Sequence, residues 1–305
     1  MAKLKYIFLL FLVLTIFSGL FSCRSQTVST KKSIVVTYSI LGSIVKELIG
    51  DKANVTVSIP NGLDPHEWEP SARDIETINK ADLVIENGLG LEAGMEKTLQ
   101  IAKDNGVRFF TATDYITVRH VGPGEGIPSG DPDQVLGAPD PHFWMDPLSM
   151  VSIITALTPV LSNELNLDVS SQASSLKNRL NNLNTEVTNI LTAVPAEDRN
   201  LVTGHESMGY FAQRYGFQLI GVIIPSLSTQ ASVSAANLAI LITVIQKNQV
   251  KAIFTELGTS QASANTISQD TGVKVVELTT HVLPADGSYF TFMTNVANTI
   301  SNALK

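Results

Sequence analysis

From Ser33 onward, short apolar runs rich in β-branched residues alternate with longer stretches in which apolar residues return every three or four positions. The runs at 33–39 (SIVVTYS), 55–59 (VTVSI), 82–87 (DLVIEN) and 107–112 (VRFFTA) predict four strands. Those at 200–204 (NLVTG), 217–223 (FQLIGVI), 250–256 (VKAIFTE) and 273–278 (VKVVEL) predict four more. Helical spacing fills most of the gaps, at about 40–50, 72–80, 90–104, 148–163, 207–215, 232–248, 261–270 and 287–303. Short apolar strands alternating with helices belong in parallel sheets covered by helices. Between the two groups lies 168–193, which contains neither Gly nor Pro. Its Leu176, Leu180, Leu183, Val187, Ile190 and Leu191 share one helical face, and such a helix is a rod of roughly 39 Å. The pattern predicts an α/β protein of two lobes, each with a four-stranded, mainly parallel sheet, joined by one long rigid backbone helix. The lobes are expected at 33–165 and 197–305, with the joining helix in 166–196.

The first 22 residues break this pattern. Lys3 and Lys5 precede an apolar run from Tyr6 to about Phe17, then small residues follow. That order is an export signal, shorter than a membrane span and without a stop-transfer flank. Cys23 ends the stretch LFSC, which resembles the bacterial lipobox, in which the cysteine becomes the lipidated first residue. It is the single cysteine, so it has no disulfide partner within the chain. With Cys23 lipidated, residues 23–32 read as anchor and flexible tether. The protein is then exported and anchored on the membrane, facing a periplasm or the cell exterior.

Composition narrows the partners. The chain has 305 residues, 44% of them hydrophobic, with a formal net charge of −7. No basic block suits a phosphate backbone, which argues against nucleic acid. Residues 118–141, rich in Gly and Pro, form the one long irregular stretch; such loops are commonly functional.

The candidate chemistry lies in a repeat. Residues 64–70 read DPHEWEP and residues 140–147 read DPHFWMDP. They hold two of the five histidines and both tryptophans. Proline fixes φ, and an Asp side chain can accept from the backbone two residues on, so Asp-Pro-His is a stiff turn presenting an imidazole. Trp68 and Trp144 would pack under these turns and exclude water, or serve as plain core anchors. His66, His205 and His281 each follow a predicted strand, where parallel sheets bind ligands, and His142 precedes a helix. Four imidazoles converging on one cleft suggest a transition metal. His120 sits in the irregular loop beside Glu125, Asp131 and Asp133, and reads as part of a solvated loop.

These stretches, together with NGLDPHEWEPSARDI, ADLVIENGLGLE, GHESMGYFAQRYGF and ADGSYFTFM in order over about 33–304, resemble the solute-binding lipoproteins of bacterial zinc and manganese ABC importers. The resemblance implies two lobes on a backbone helix, metal between them, and delivery to an ABC permease; a monomer is expected. It implies His66, His142 and His205 as ligands. The fourth family ligand is usually a carboxylate in the loop after the last strand. Here that stretch reads ELTTHVLPADGSY and His281 falls at its place, with Asp286 as the alternative and Glu256 as a further ligand or outer partner. Four imidazoles suit Zn²⁺ better than Mn²⁺, which favours hard carboxylates. Zinc is thus expected, with manganese (or iron) as the alternative cargo. An enzyme is not expected. Four protein ligands leave a catalytic zinc no open position, and neither H-E-x-x-H nor G-x-S-x-G occurs. A surface adhesin with an incidental metal site is the alternative from another class.

Overall fold

Strand β1 (Ser33–Tyr38) is the hinge of the N-terminal half. It pairs in parallel with β2 (Asn54–Ile59) on one side and β3 (Leu83–Glu86) on the other, and β3 carries β4 (Phe109–Thr111), giving the order β2-β1-β3-β4. Alternation along β1 divides the core. Ile34, Val36 and Tyr38 join the main apolar cluster, while Val35 faces the opposite one with Ile59, Ile78, Val84 and Leu99. Helix α1 (Ser39–Ile49) covers the first face; α2 (Ala72–Asn79) and α3 (Glu96–Asp104) cover the second. Helix α2 starts on a reciprocal capping box between Ser71 and Asp74. Because the strand order reverses at β1, the C-terminal ends of β1 and β3 open a crevice, the usual ligand position of such sheets.

The computed structural model describes residues 31–126 and 136–305. The export signal, Cys23 and most of the tether lie outside the described residues, as do Asp131 and Asp133. Residues 32–305 form one compact unit. Its two halves share an apolar core that runs from β1 through α4 (Pro147–Leu165) and α5 (Ser170–Leu191) into α6 (Gly209–Tyr215) and α9 (Tyr289–Leu304). Helix α5 spans 22 residues, shorter at both ends than its pattern suggests. Leu176, Leu180, Leu183, Val187 and Leu191 of its stripe are buried, whereas Ile190 is only partly so. The stripe packs on α4 and on α9, hence on an element from each half.

The C-terminal half differs from the expected four-stranded sheet. Among the described residues it contains two parallel ladders, β5 (Asn200–Thr203) with β6 (Gln218–Val222) and β7 (Ala252–Thr255) with β8 (Lys274–Glu277). Strands β5 and β7 lie side by side without a ladder of their own. At their C-terminal ends a side chain replaces the ladder: Gly204 N donates to Glu256 Oε1 at 2.9 Å. Helices α7 (Ala235–Lys247) and α8 (Gln261–Thr271) pack on a smaller apolar cluster around Ile245, Ile253 and Ile267.

The flanks of the Gly- and Pro-rich loop are more ordered than their composition suggests. Val121 N donates to Ala138 O at 3.0 Å, Gly137 N to Val121 O at 2.9 Å and Asp140 N to Arg119 O at 2.9 Å. This antiparallel ribbon brings Arg119 against the second Asp-Pro-His turn.

Candidate metal centre

The Asp-Pro-His turn is built the same way twice. Asp64 Oδ1 accepts from His66 N at 2.9 Å, and Asp140 Oδ1 accepts from His142 N at 2.9 Å. Each carboxylate closes the turn two residues on and aims the following imidazole inward. His205 lies just beyond the end of β5, and His281 beyond β8. All four histidines are buried, with at most 1% of their surface exposed.

Their rings converge. His66 Nε2 lies 3.4 Å from His142 Nε2, and His142 Nε2 lies 3.3 Å from His205 Nε2. One nitrogen from each of the four falls within 4.8 Å of every other, the one group of His, Cys, Asp and Glu of metal-holding geometry among the described residues. For Zn–N bonds of 2.0–2.1 Å, the edge of a tetrahedron is about 3.3–3.4 Å. The two nitrogen spacings therefore match that edge. His281 Nε2 is buried without a hydrogen-bond partner among the described residues, and such an orphaned nitrogen suits a metal ligand.

Electrostatics keep the rings neutral. Burial pushes His66 down to about 4, helped by the charge that His205 would carry. Burial likewise lowers His205 to about 4. His142 and His281 are held well below the ordinary range by burial and then by their histidine neighbours. Lone pairs are thus available without displacing protons at neutral pH.

Carboxylates surround the centre without entering it. Asp140 Oδ1 also accepts from His142 Nδ1 at 2.8 Å, which places the ring proton on Nδ1 and turns a bare Nε2 inward. Its Oδ2 pairs with Arg119 Nη1 at 3.0 Å. Burial raises Asp140 to about 6 against the pull of Arg119. Arg119 also pairs with Glu125, so a chain of charge leads from the loop ribbon to a histidine. Glu256 Oε1 accepts from Gly204 N, and Oε2 from Ser207 Oγ at 2.5 Å and from Thr280 Oγ1. Burial raises Glu256 to about 7, and these hydrogen bonds oppose the shift. Its Oε2 lies 3.5 Å from His205 Nδ1 and 3.9 Å from His281 Nδ1. Glu256 therefore backs two imidazoles and stands outside the cluster.

Asp286 is placed elsewhere. It is exposed and accepts from Ser288 N at 2.9 Å and Thr291 Oγ1 at 2.7 Å, fastening the first turn of α9. The alternative ligand therefore lies outside the cluster, its carboxylate held by the N–H of the N-cap Ser288 and a first-turn hydroxyl. The two tryptophans also part company. Trp144 is buried against His142 and His281, with ring centroids 5.2 and 5.3 Å away. Trp68 is partly buried on the outer apolar cluster, near Leu99, and has no ring contact with the four histidines. His120 is exposed on the ribbon, paired with Pro139. Arg119, Ser207 and Thr280 escaped the reading of the sequence, because a Thr or Arg carries no mark of its partner there. The one available signal was Thr280 immediately preceding a candidate ligand.

Two parallel α/β halves around a buried group of four imidazoles suit a metal carrier, and the relatives of this chain define its class as the solute-binding components of metal ABC importers, not enzymes. A family profile described as zinc-uptake complex component A, periplasmic (ZnuA), matches residues 34–303, and the chain belongs to that family. Family membership places the chain outside the cytoplasm, and members of this family work with ABC permeases. The manganese-binding lipoprotein MntA of Halalkalibacterium halodurans is 24% identical over 299 residues, 94% of this chain and 93% of that protein. The zinc-binding lipoprotein AdcA of Streptococcus pneumoniae is 30% identical over 263 residues, covering 84% of this chain but 51% of AdcA. Among solved structures, the periplasmic zinc-binding protein TroA from Treponema pallidum superposes with a TM-score of 0.76 at 24% identity, over 90% of this chain and 99% of TroA. FpvC from Pseudomonas aeruginosa, in complex with Mn²⁺, gives 0.77 at 23% identity over 90% of this chain and 99% of its own. These superpositions establish a shared fold.

Proposed function

We propose that this protein captures Zn²⁺ through His66, His142, His205 and His281 and hands it to its permease. The observation that carries the proposal is the pair of 3.3 and 3.4 Å spacings between imidazole nitrogens, which fit a tetrahedral Zn²⁺ edge. The donor set supports the same choice: four imidazoles and no inward carboxylate favour zinc over manganese or iron(II). MntA, AdcA and FpvC carry manganese or zinc in their names or titles, so relatives of this fold serve more than one metal.

In this proposal the protein is a monomer held at the membrane by lipid on Cys23. Residues 33–165 and 197–305 act as the two metal-binding lobes, and 166–196 as the strut between them. Zinc enters a preformed cluster of neutral rings, and the outer carboxylates Asp140 and Glu256 offset the incoming charge.

The test is calorimetry on residues 26–305, which retain the whole compact unit, stripped of metal. Tight one-to-one Zn²⁺ binding is expected, with Mn²⁺ far weaker, affinity lost in His281→Ala and kept in Asp286→Ala. Tight Mn²⁺ binding would transfer the cargo to manganese. No tight binding of either ion would end the carrier proposal and leave a surface adhesin.

A further inference from the structure

We propose that Thr280 is a positioning residue for metal capture: its hydroxyl links Glu256 to His281 and fixes the tautomer that presents a bare Nε2 to the cluster. This inference rests on the metal-carrier proposal and adds to it a residue that does not touch the metal.

Thr280 is fully buried. Its Oγ1 lies within hydrogen-bonding reach of Glu256 Oε2 and 2.8 Å from His281 Nδ1. A threonine hydroxyl has one proton to donate and lone pairs to accept with. Glu256 decides where that proton goes. Its Oε1 accepts from Gly204 N at 2.9 Å and from His205 N at 3.4 Å, and its Oε2 from Ser207 Oγ at 2.5 Å. In its ionised form Glu256 has no proton to give and can only accept, so Thr280 donates to it. The hydroxyl is then left to accept, and His281 must supply the proton from Nδ1. The remaining nitrogen, Nε2, is bare. That is the atom without a hydrogen-bond partner among the described residues.

The reverse order is worse on two counts. A hydroxyl donating to His281 Nδ1 would leave the carboxylate one donor short, in a buried place where an unmade bond is costly. It would also put an Nε2–H among three other imidazoles, and an arriving cation would have to expel that proton. In the N-terminal half the same task needs no intermediary, because Asp140 reaches His142 Nδ1 directly at 2.8 Å. Glu256 Oε2 stands 3.9 Å from His281 Nδ1, too far for a hydrogen bond, and the Thr280 hydroxyl bridges the gap. The bridge is held from behind: Trp144 Nε1 donates to Thr280 O at 2.9 Å, and Thr280 N donates to Leu278 O at 3.1 Å.

The test compares wild type, Thr280→Val and Thr280→Ser on residues 26–305. Valine keeps the shape and removes the hydroxyl; serine keeps the hydroxyl. In metal-free protein at about pH 8.5, where Glu256 is ionised, ¹⁵N chemical shifts of the imidazoles, assigned with His281→Ala, report the tautomer. His281 protonated on Nδ1 is expected in wild type and Thr280→Ser, with Nε2–H appearing in Thr280→Val. Zn²⁺ affinity is expected to fall about 10- to 100-fold in Thr280→Val and to recover in Thr280→Ser. Nε2–H in wild type overturns the inference, and so does Thr280→Val binding zinc as tightly as wild type. Were Thr280→Val not to fold, the wild-type tautomer alone would decide. Failure of wild type to bind any metal would reject the carrier proposal while leaving the tautomer measurement to stand by itself.

Discussion

The indole nitrogen of Trp144 donates to the carbonyl of Thr280 at 2.9 Å, across 136 residues of sequence. The contact ties the second Asp-Pro-His turn to the loop that bears the fourth histidine. It has company. Tyr38 OH donates to His281 O at 3.0 Å, and Asn61 holds Leu283 through both its amide nitrogen and oxygen, at 2.9 and 2.8 Å. The His281 loop belongs to the C-terminal half by sequence, yet the N-terminal half holds it in place. Replacing Trp144 by Phe keeps the ring against the histidines but strands a buried carbonyl, at a cost of about 1–3 kcal/mol. Urea unfolding should show that loss, and calorimetry a roughly tenfold weaker Zn²⁺ affinity as the ligand loop slackens.

The histidines set a pH dependence of definite sign. In the folded protein His66 and His205 stay neutral down to about 4, whereas unfolded histidine takes its proton near 6.5. The unfolded chain therefore binds more protons below that point, and the contribution of these residues is full above about 6.5 and lost as pH falls toward 4. Buried Glu206 and Glu256 act oppositely, since both are raised from 4.5 to about 7 and their contribution is lost as pH rises through 7. Metal-free protein should thus melt highest in weak acid, with a lower Tm on either side. Zn²⁺ affinity should change little from pH 7 to 5.5. A loss of affinity centred on 6.5 would show that the rings titrate as free histidine.

Gly209, at the start of α6, leaves room for the Arg119–Asp140 pair. A Cβ there would sit inside contact distance of Arg119 Nη1 and 2.6 Å from Asp140 Oδ2. Gly209→Ala should push the guanidinium off Asp140, costing about 1–3 kcal/mol, and should weaken Zn²⁺ binding because Asp140 orients His142. Melting curves and a zinc titration measure the two effects separately.

Leu180 lies fully buried in the middle of α5, in the core common to both halves. Leu180→Ala should cost about 2–5 kcal/mol in urea unfolding. Because the core is continuous, the transition should remain single; two separated transitions would mean that the halves unfold independently.

Much of this was legible in the residues themselves. Eight strands follow from short apolar runs rich in β-branched residues and the stripe of α5 from a period of 3.6, both of which depend on neighbours close in the chain. The two Asp-Pro-His turns are equally local, because each Asp bonds the backbone two residues on. What stayed open was non-local. Nothing near Asp286 says that its carboxylate serves Ser288 and Thr291, and nothing near Trp68 says that it packs outward while Trp144 packs on the site.

The αβ alternation and the paired Asp-Pro-His turns are written in the residues alone, since backbone dihedrals and short-range hydrogen bonds specify them. Folding alone brings His281 to the other three imidazoles, sets Glu256 behind it, and places Thr280 and Arg119 against the carboxylates. Those outcomes depend on side chains that meet across long stretches of chain, 24 residues for Thr280 and Glu256 and 136 for Trp144 and Thr280, and such separations close only when the common core forms.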